Sequence, residues 1–270
     1  MHNCASQSVK FNFLEKRDGV SKRVASISAA QQKGFIDAFC KEVENLDDWT
    51  RKVGWKPMQK LPGLRVFVSW NYPLARSLVP QWDGDPGRME FPAFRVAVNE
   101  AGILHELVHI YFPNANRMLA EGFAVYLQQK IGKNLAFPNF GNDLQRMMKC
   151  ELTDDLGGDL DDIDLGAIDQ ITTPTSLQFR YGLDTISQAG WPYVIVGSFV
   201  HFLLEDFGKS EGLRDSARLE KFRDLYLKTP LVPFRRDAGS PDRWKAIYGV
   251  PLTELKKRWR RSIESGPRCP

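Results

Sequence analysis

Histidine is scarce in this chain, with four in 270 residues, and cysteine is equally so, at positions 4, 40, 150 and 269. No two cysteines form a Cys-x-x-Cys pair, which excludes a zinc knuckle or a thioredoxin-type redox motif. Two disulfides in an oxidising compartment and four free thiols in the cytosol both remain open on spacing alone. Long apolar runs are missing too. The longest, residues 194–204, is too short to span a bilayer and is interrupted by His201. Residues 1–10 lack the apolar core of a signal peptide, so the chain reads as cytoplasmic, or as envelope or secreted if a leader has been removed. Charge of one sign is not in excess. Thirty-seven basic against 33 acidic residues leave +4, which permits an anionic partner without arguing for one. No internal repeat or low-complexity linker divides the chain, and its length suits one large domain or two lobes around a shared cleft.

What is present is a local concentration of the rare residue. His105 and His109 are four apart, with Glu106 directly after the first. On a helix, positions i and i+4 lie one turn apart on one face, so both imidazoles can reach one ion. Glu106 then stands about 100° around the axis, able to touch a water on that ion without displacing it. This is the HExxH pattern of zinc hydrolases, two nitrogen ligands and a carboxylate base. At this chain's own His and Glu frequencies it would arise by chance with a probability of about 0.3%.

A catalytic zinc takes a third protein ligand and leaves a fourth position to water. His2 and His201 are remote in sequence, whereas Glu121 lies on the next helical segment, residues 118–126 (MLAEGFAVY). A turn containing Pro113 can fold that helix back and aim Glu121 at the ion, with Gly122 and Ala124 permitting close approach of the two helices. A carboxylate among Leu119, Phe123 and Val125 is costly to bury unless paired or metal-bound.

These segments resemble the gluzincin clan of zinc metallopeptidases, in which HExxH is followed by a glutamate on the next helix. The AEGFAVY stretch is similar to the EGFA or EGLA segment of aminopeptidase-like members. The resemblance implies an α+β, thermolysin-like fold, one Zn2+ per chain held by His105, His109 and Glu121, and Glu106 as general base. The substrate it implies is a peptide or protein. It extends over residues 64–263, where residues 193–208 resemble the helix after the ligand helix and residues 252–263, with Trp259, the closing helix. Only the two zinc segments are specific. Gluzincins often supply a tyrosine or histidine to the developing oxyanion. Tyr193 is the choice here, with Tyr181 and His201 as rivals. The chain departs from the clan twice. The interval from His109 to Glu121 is shorter than in the large aminopeptidases, and position 125 is Val where the thermolysin branch has a carboxylate that orients a ligand histidine.

Apolar periodicity predicts strands at residues 10–15 and 20–27 around an Arg17-Asp18-Gly19 turn, and a helix capped by Ser28 running to about Leu46. Residues 64–70 (LRVFVSW) alternate like a strand, and residues 71–92 read as a long loop with at most a short strand near Met89. Residues 94–98 (FRVAV) read as a strand, placed to pair with an extended peptide. Asn99 is the expected cap of the motif helix, which ends near Phe112. Further helices are expected at residues 117–131, 142–150, 192–207, 217–228, 241–248 and 252–264. Strands first and helices after is an α+β arrangement, divided into an N-terminal lobe at 1–113 and a helical lobe at 114–270.

Two other stretches carry charge. The acidic run Asp154, Asp155, Asp159, Asp161, Asp162, Asp164 lacks the order of an EF-hand and reads as a solvated loop. The basic segment Lys256-Lys257-Arg258-Trp259-Arg260-Arg261 reads as the wet face of a helix anchored by Leu252, Leu255, Trp259 and Ile263. Three functions are weighed: a zinc metallopeptidase, a zinc-bearing module that binds a peptide or partner without cleaving it, and a basic nucleic-acid-binding protein. The first is preferred, with neither nucleic acid nor a membrane span expected, because a degenerate site would be free to lose Glu106.

Overall fold

The computed structural model describes residues 2–5, 7–14, 27–57, 63–78, 87–114, 116–132, 135–152, 185–228 and 241–266. The 17–19 turn, most of the 20–27 strand, Tyr181, the acidic run 154–164 and Cys269 lie outside them. The fold is mixed α/β, and two compact units are distinguished: Met1–Pro113 with Lys130–Gly141, and Asn114–Gln129 with Asn142–Pro270. The chain passes between these units at 113/114, at 129/130 and at 141/142. No helix of the described residues is long and apolar enough to cross a membrane.

The first unit is built on five strands: β1 (His2–Cys4), β2 (Gln7–Leu14), β3 (Leu64–Ser69), β4 (Arg76–Leu78) and β5 (Gly87–Pro92), in the order β1-β2-β3-β5-β4. β2, β3 and β5 run parallel, and the edges β1 and β4 are antiparallel to their neighbours. In β3 the alternation is clean: Leu64, Val66 and Val68 are buried, with Arg65 exposed between them. Against this face lies helix α1 (Ala29–Val53), whose Phe35 and Phe39 pack edge-on to Phe11, with Phe35 also edge-on to Phe91.

Ser28 closes a capping box with Gln31, worth about 1 kcal/mol: its hydroxyl accepts from the Gln31 amide at 3.2 Å, and its own amide donates to Gln31 Oε1 at 3.0 Å. The helix runs past Leu46 because Trp49 and Thr50 continue its buried stripe, and it stops at Gly54, whose φ of 66° is left-handed. A Cys4–Cys40 disulfide, 36 residues apart, ties β1 to α1. Loop closure of that length corresponds to about 4 kcal/mol in the chain-entropy account.

Three sequence expectations are corrected here. Residues 94–98 are not a strand. Ala93–Ala97 form the short helix α2, entered from Pro92, so this segment cannot pair with a peptide. A five-residue apolar run carries too little period to separate helix from strand. Residues 71–92, read as a long loop with a short strand near Met89, contain that strand as β5 and a second one, β4. Asn99 does not cap the motif helix. It sits at φ 59° in the turn after α2, and the N-cap is Gly102. The motif helix α3 spans Ile103–Tyr111 and buries Ile103, Leu104, Leu107, Val108, Ile110 and Tyr111. Tyr111 donates to Asp47 Oδ1 at 3.1 Å, pinning α3 to α1.

The second unit is helical: α4 (Arg117–Ile131, its last two residues grouped with the first unit), α5 (Leu144–Met147), α6 (Thr185–His201), α7 (Asp215–Lys228), α8 (Pro241–Tyr248) and α9 (Leu252–Ser265). Wider, π-type turns extend α5 over Met148–Leu152 and α6 over Phe202–Asp206. Asn116 starts α4 by accepting from the Leu119 amide at 3.0 Å. Gly122 was expected to let α4 approach the motif helix. Its open side faces α6 instead, where an added Cβ would stand 2.7 Å from both the Val196 carbonyl oxygen and Val200 Cγ2. Gly197 of α6 answers it, with Val125 of α4 filling the space of its missing side chain. Val125 is thus a packing residue. A polar chain, buried at its Trp259 end, runs from Trp259 Nε1 to Ser198 Oγ (3.0 Å), from Ser198 Oγ to Gln145 Oε1 (2.5 Å), and from Gln145 Nε2 to His201 Nδ1 (2.9 Å).

Candidate metal centre

The i, i+4 spacing does what helical geometry requires: His105 Nε2 and His109 Nε2 are 3.2 Å apart. Two nitrogens bound about 2.0–2.1 Å from one tetrahedral zinc stand roughly 3.3–3.4 Å apart, so these rings already have the separation of a ligand pair. A single imidazole-to-imidazole hydrogen bond also fits that distance, so the third group matters. Among the described residues one set of three potential ligand residues occurs, His105, His109 and Glu121, with one ligand atom from each, all within 4.8 Å of one another. The donor set, two imidazoles and a carboxylate, suits zinc with one position left over. His2 and His201 do not join it. His2 packs edge-on to Phe11, and His201 belongs to the Gln145 chain, with Asp206 3.8 Å away.

Glu106, which follows His105 directly, is buried as well. Its Oε2 lies 2.8 Å from the hydroxyl of Ser77, and the same hydroxyl is 2.7 Å from the Glu106 backbone oxygen. Ser77 comes from edge strand β4, which packs on α3. It was missed in the sequence, where nothing separates it from other serines in a Pro- and Gly-rich stretch.

Glu121 sits on α4, largely shielded, with the Arg117 guanidinium one turn back at 3.5 Å. This i, i+4 pair was legible from helical spacing but not singled out. The same guanidinium nitrogen donates to the hydroxyl of Tyr193 at 3.3 Å. Tyr193 was expected at the first turn of a helix after Pro192. It lies instead inside α6, which begins at Thr185 and contains Pro192. Arg117 therefore links the candidate oxyanion donor to the candidate third ligand. The phenol of Tyr226 is held well above its ordinary pKa, by burial first and by the Glu121 charge second.

The basic face of α9 is largely paired: Arg258 with Glu254 and Glu211, Arg260 with Glu264, and Arg261 with Glu254. No protein-family model, no curated protein and no solved structure matches this chain.

Proposed function

We propose that this chain is a zinc-dependent metallopeptidase of gluzincin type, in which His105, His109 and Glu121 hold one zinc ion. The observation that carries the reading is the 3.2 Å spacing of the two Nε2 atoms within a His-His-Glu set, beside a buried carboxylate that takes no part in it. Zinc bound there supplies a Lewis acid that acidifies water and polarises an amide carbonyl. Glu106 accepts the proton of the attacking water and returns it to the leaving amine. Tyr193, its oxygen held by Arg117, is the proposed donor to the developing oxyanion. An extended peptide pairs along edge strand β4, the role that residues 94–98 cannot fill. The Cys4–Cys40 disulfide and the disulfide-bonded state of Cys150 support work in an oxidising compartment.

The test is metal analysis of the purified protein together with its hydrolysis of a mixed peptide library. Stoichiometric zinc and chelator-sensitive cleavage are expected. Glu106→Gln should keep the zinc and lose about 10²–10⁴-fold in rate. A wild type that binds zinc yet cleaves nothing would favour the inactive binding module, and one that neither contains nor binds zinc would refute the reading.

A further inference from the structure

We propose that Ser77 is the positioning residue for Glu106, which gives edge strand β4 a direct hold on the catalytic base. The proposal rests on the peptidase reading above. A glutamate side chain has three rotatable bonds, and fixing them costs up to about 2 kcal/mol of rotamer freedom. Glu106 is 6% exposed, so little water is available to hold its carboxylate in one orientation. Among the described residues a single hydroxyl does so. Ser77 Oγ stands 2.7 Å from the backbone oxygen and 2.8 Å from Oε2 of the same residue. It has one proton and donates to one of them at a time, but contact with both confines the carboxylate to a short arc around the helix.

Ser77 is itself held. Its neighbour Arg76 pairs across the strands with Glu90, a carboxylate 1% exposed that Arg88 also engages. Ser77 and Met89 stand opposite each other in the same register. A three-residue strand anchored in this way presents the hydroxyl at a defined height over α3. Precision of this kind matters for a base, which must lie within about 2.6–3.2 Å of the proton it takes. A displacement of about 1 Å costs on the order of 10²-fold in rate.

The experiment compares wild type with Ser77→Ala, and Ser77→Thr with Ser77→Val, a pair of nearly equal shape that differs in the hydroxyl. Three quantities are read: zinc content, kcat against KM for the library peptide that wild type cleaves fastest, and Tm of the zinc-free protein with and without Glu106→Ala. We expect wild-type zinc content in all variants. Ser77→Ala and Ser77→Val should lower kcat about 10–100-fold with KM within about threefold, and Ser77→Thr should restore kcat to within about fivefold. In the zinc-free protein, Ser77→Ala should lower Tm clearly when Glu106 is present and much less when it is Ala. If Ser77→Ala does not fold, the Thr–Val pair decides. An unchanged kcat, equal losses in Ser77→Thr and Ser77→Val, a change confined to KM, or equal Tm shifts in the two backgrounds overturns the proposal while leaving an active wild type as a peptidase. An inactive wild type overturns both.

Discussion

Gly122 and Gly34 are both interior helix glycines, and replacing each by alanine should move stability in opposite directions. In an exposed helix interior the substitution gains about 0.8–1.0 kcal/mol, because alanine loses less conformational freedom on folding. Gly34 lies on the exposed side of α1, and an added Cβ there meets nothing within 4 Å. The full gain is expected. At Gly122 the new Cβ would stand 2.7 Å from the Val196 carbonyl oxygen, 2.7 Å from Val200 Cγ2 and 3.2 Å from the Val196 carbonyl carbon. Ordinary contact begins near 3.5 Å, so α4 must move away from α6 by several tenths of an ångström. The nearest obstacle is backbone, which cannot rotate out of the way. Overpacking of that kind costs about 1–3 kcal/mol, which offsets the propensity gain and leaves a net loss of up to about 2 kcal/mol. Urea unfolding of the zinc-free protein would read both values, and thermal midpoints should separate by several degrees. Glu121 precedes Gly122 on α4, so on the proposed ligand set the displaced helix should also weaken zinc binding, read in competition with a chromophoric chelator. A Gly122→Ala protein as stable as Gly34→Ala would refute the packing argument.

Two further outcomes follow from the same geometry. Glu121→Ala and His109→Ala should each lose stoichiometric zinc, and added zinc should no longer raise Tm, whereas 100-fold excess over Kd should stabilise wild type by about 2.7 kcal/mol; calorimetry with and without zinc checks this. Tyr126, Tyr226 and Tyr248 all have phenols pushed above the ordinary value by burial, Tyr126 also by its bond to Glu205 and Tyr226 by the Glu121 charge. Below about pH 10 their contribution is complete. Above it the unfolded chain releases protons that the folded chain retains, so each costs about 1.4 kcal/mol by pH 11. Denaturant midpoints at pH 8 and pH 11 should therefore move less in Tyr248→Phe than in wild type, and an equal movement would count against the burial argument.

Where the apolar pattern had one consistent reading, sequence and structure agree. β3 alternates over six residues and is a strand, and residues 241–248 and 252–264 are helices at nearly the expected bounds. The misreadings fall on short or charged segments. FRVAV has five residues and no decisive period, so Pro92 and the turn after Ala97 settled it as helix. In β5 the half-buried Arg88 pairs with the buried Glu90 two residues on, and these two charges mask the extent of the strand around Met89. α1 runs beyond the expected end at Leu46 because Trp49 and Thr50 still face the core.

The candidate ligands and base were legible because their relation is local. Four residues on a helix are one turn, whatever the rest of the chain does, so His105, Glu106 and His109 follow from spacing alone. Arg117 beside Glu121 belongs to the same class and was open to the same argument. Ser77 does not. It lies 29 residues before Glu106, and its place against the carboxylate depends on a three-residue strand finding its register on β5. Arg117 meeting Tyr193 across 76 residues, and Gly122 opening towards α6 rather than α3, are likewise products of packing between elements. Sequence by itself determined the chemistry that this helix can carry, because helical geometry is set within a few residues. Only the tertiary structure decided which distant side chains stand beside those residues, because strand register and helix contact depend on surfaces that no single segment contains.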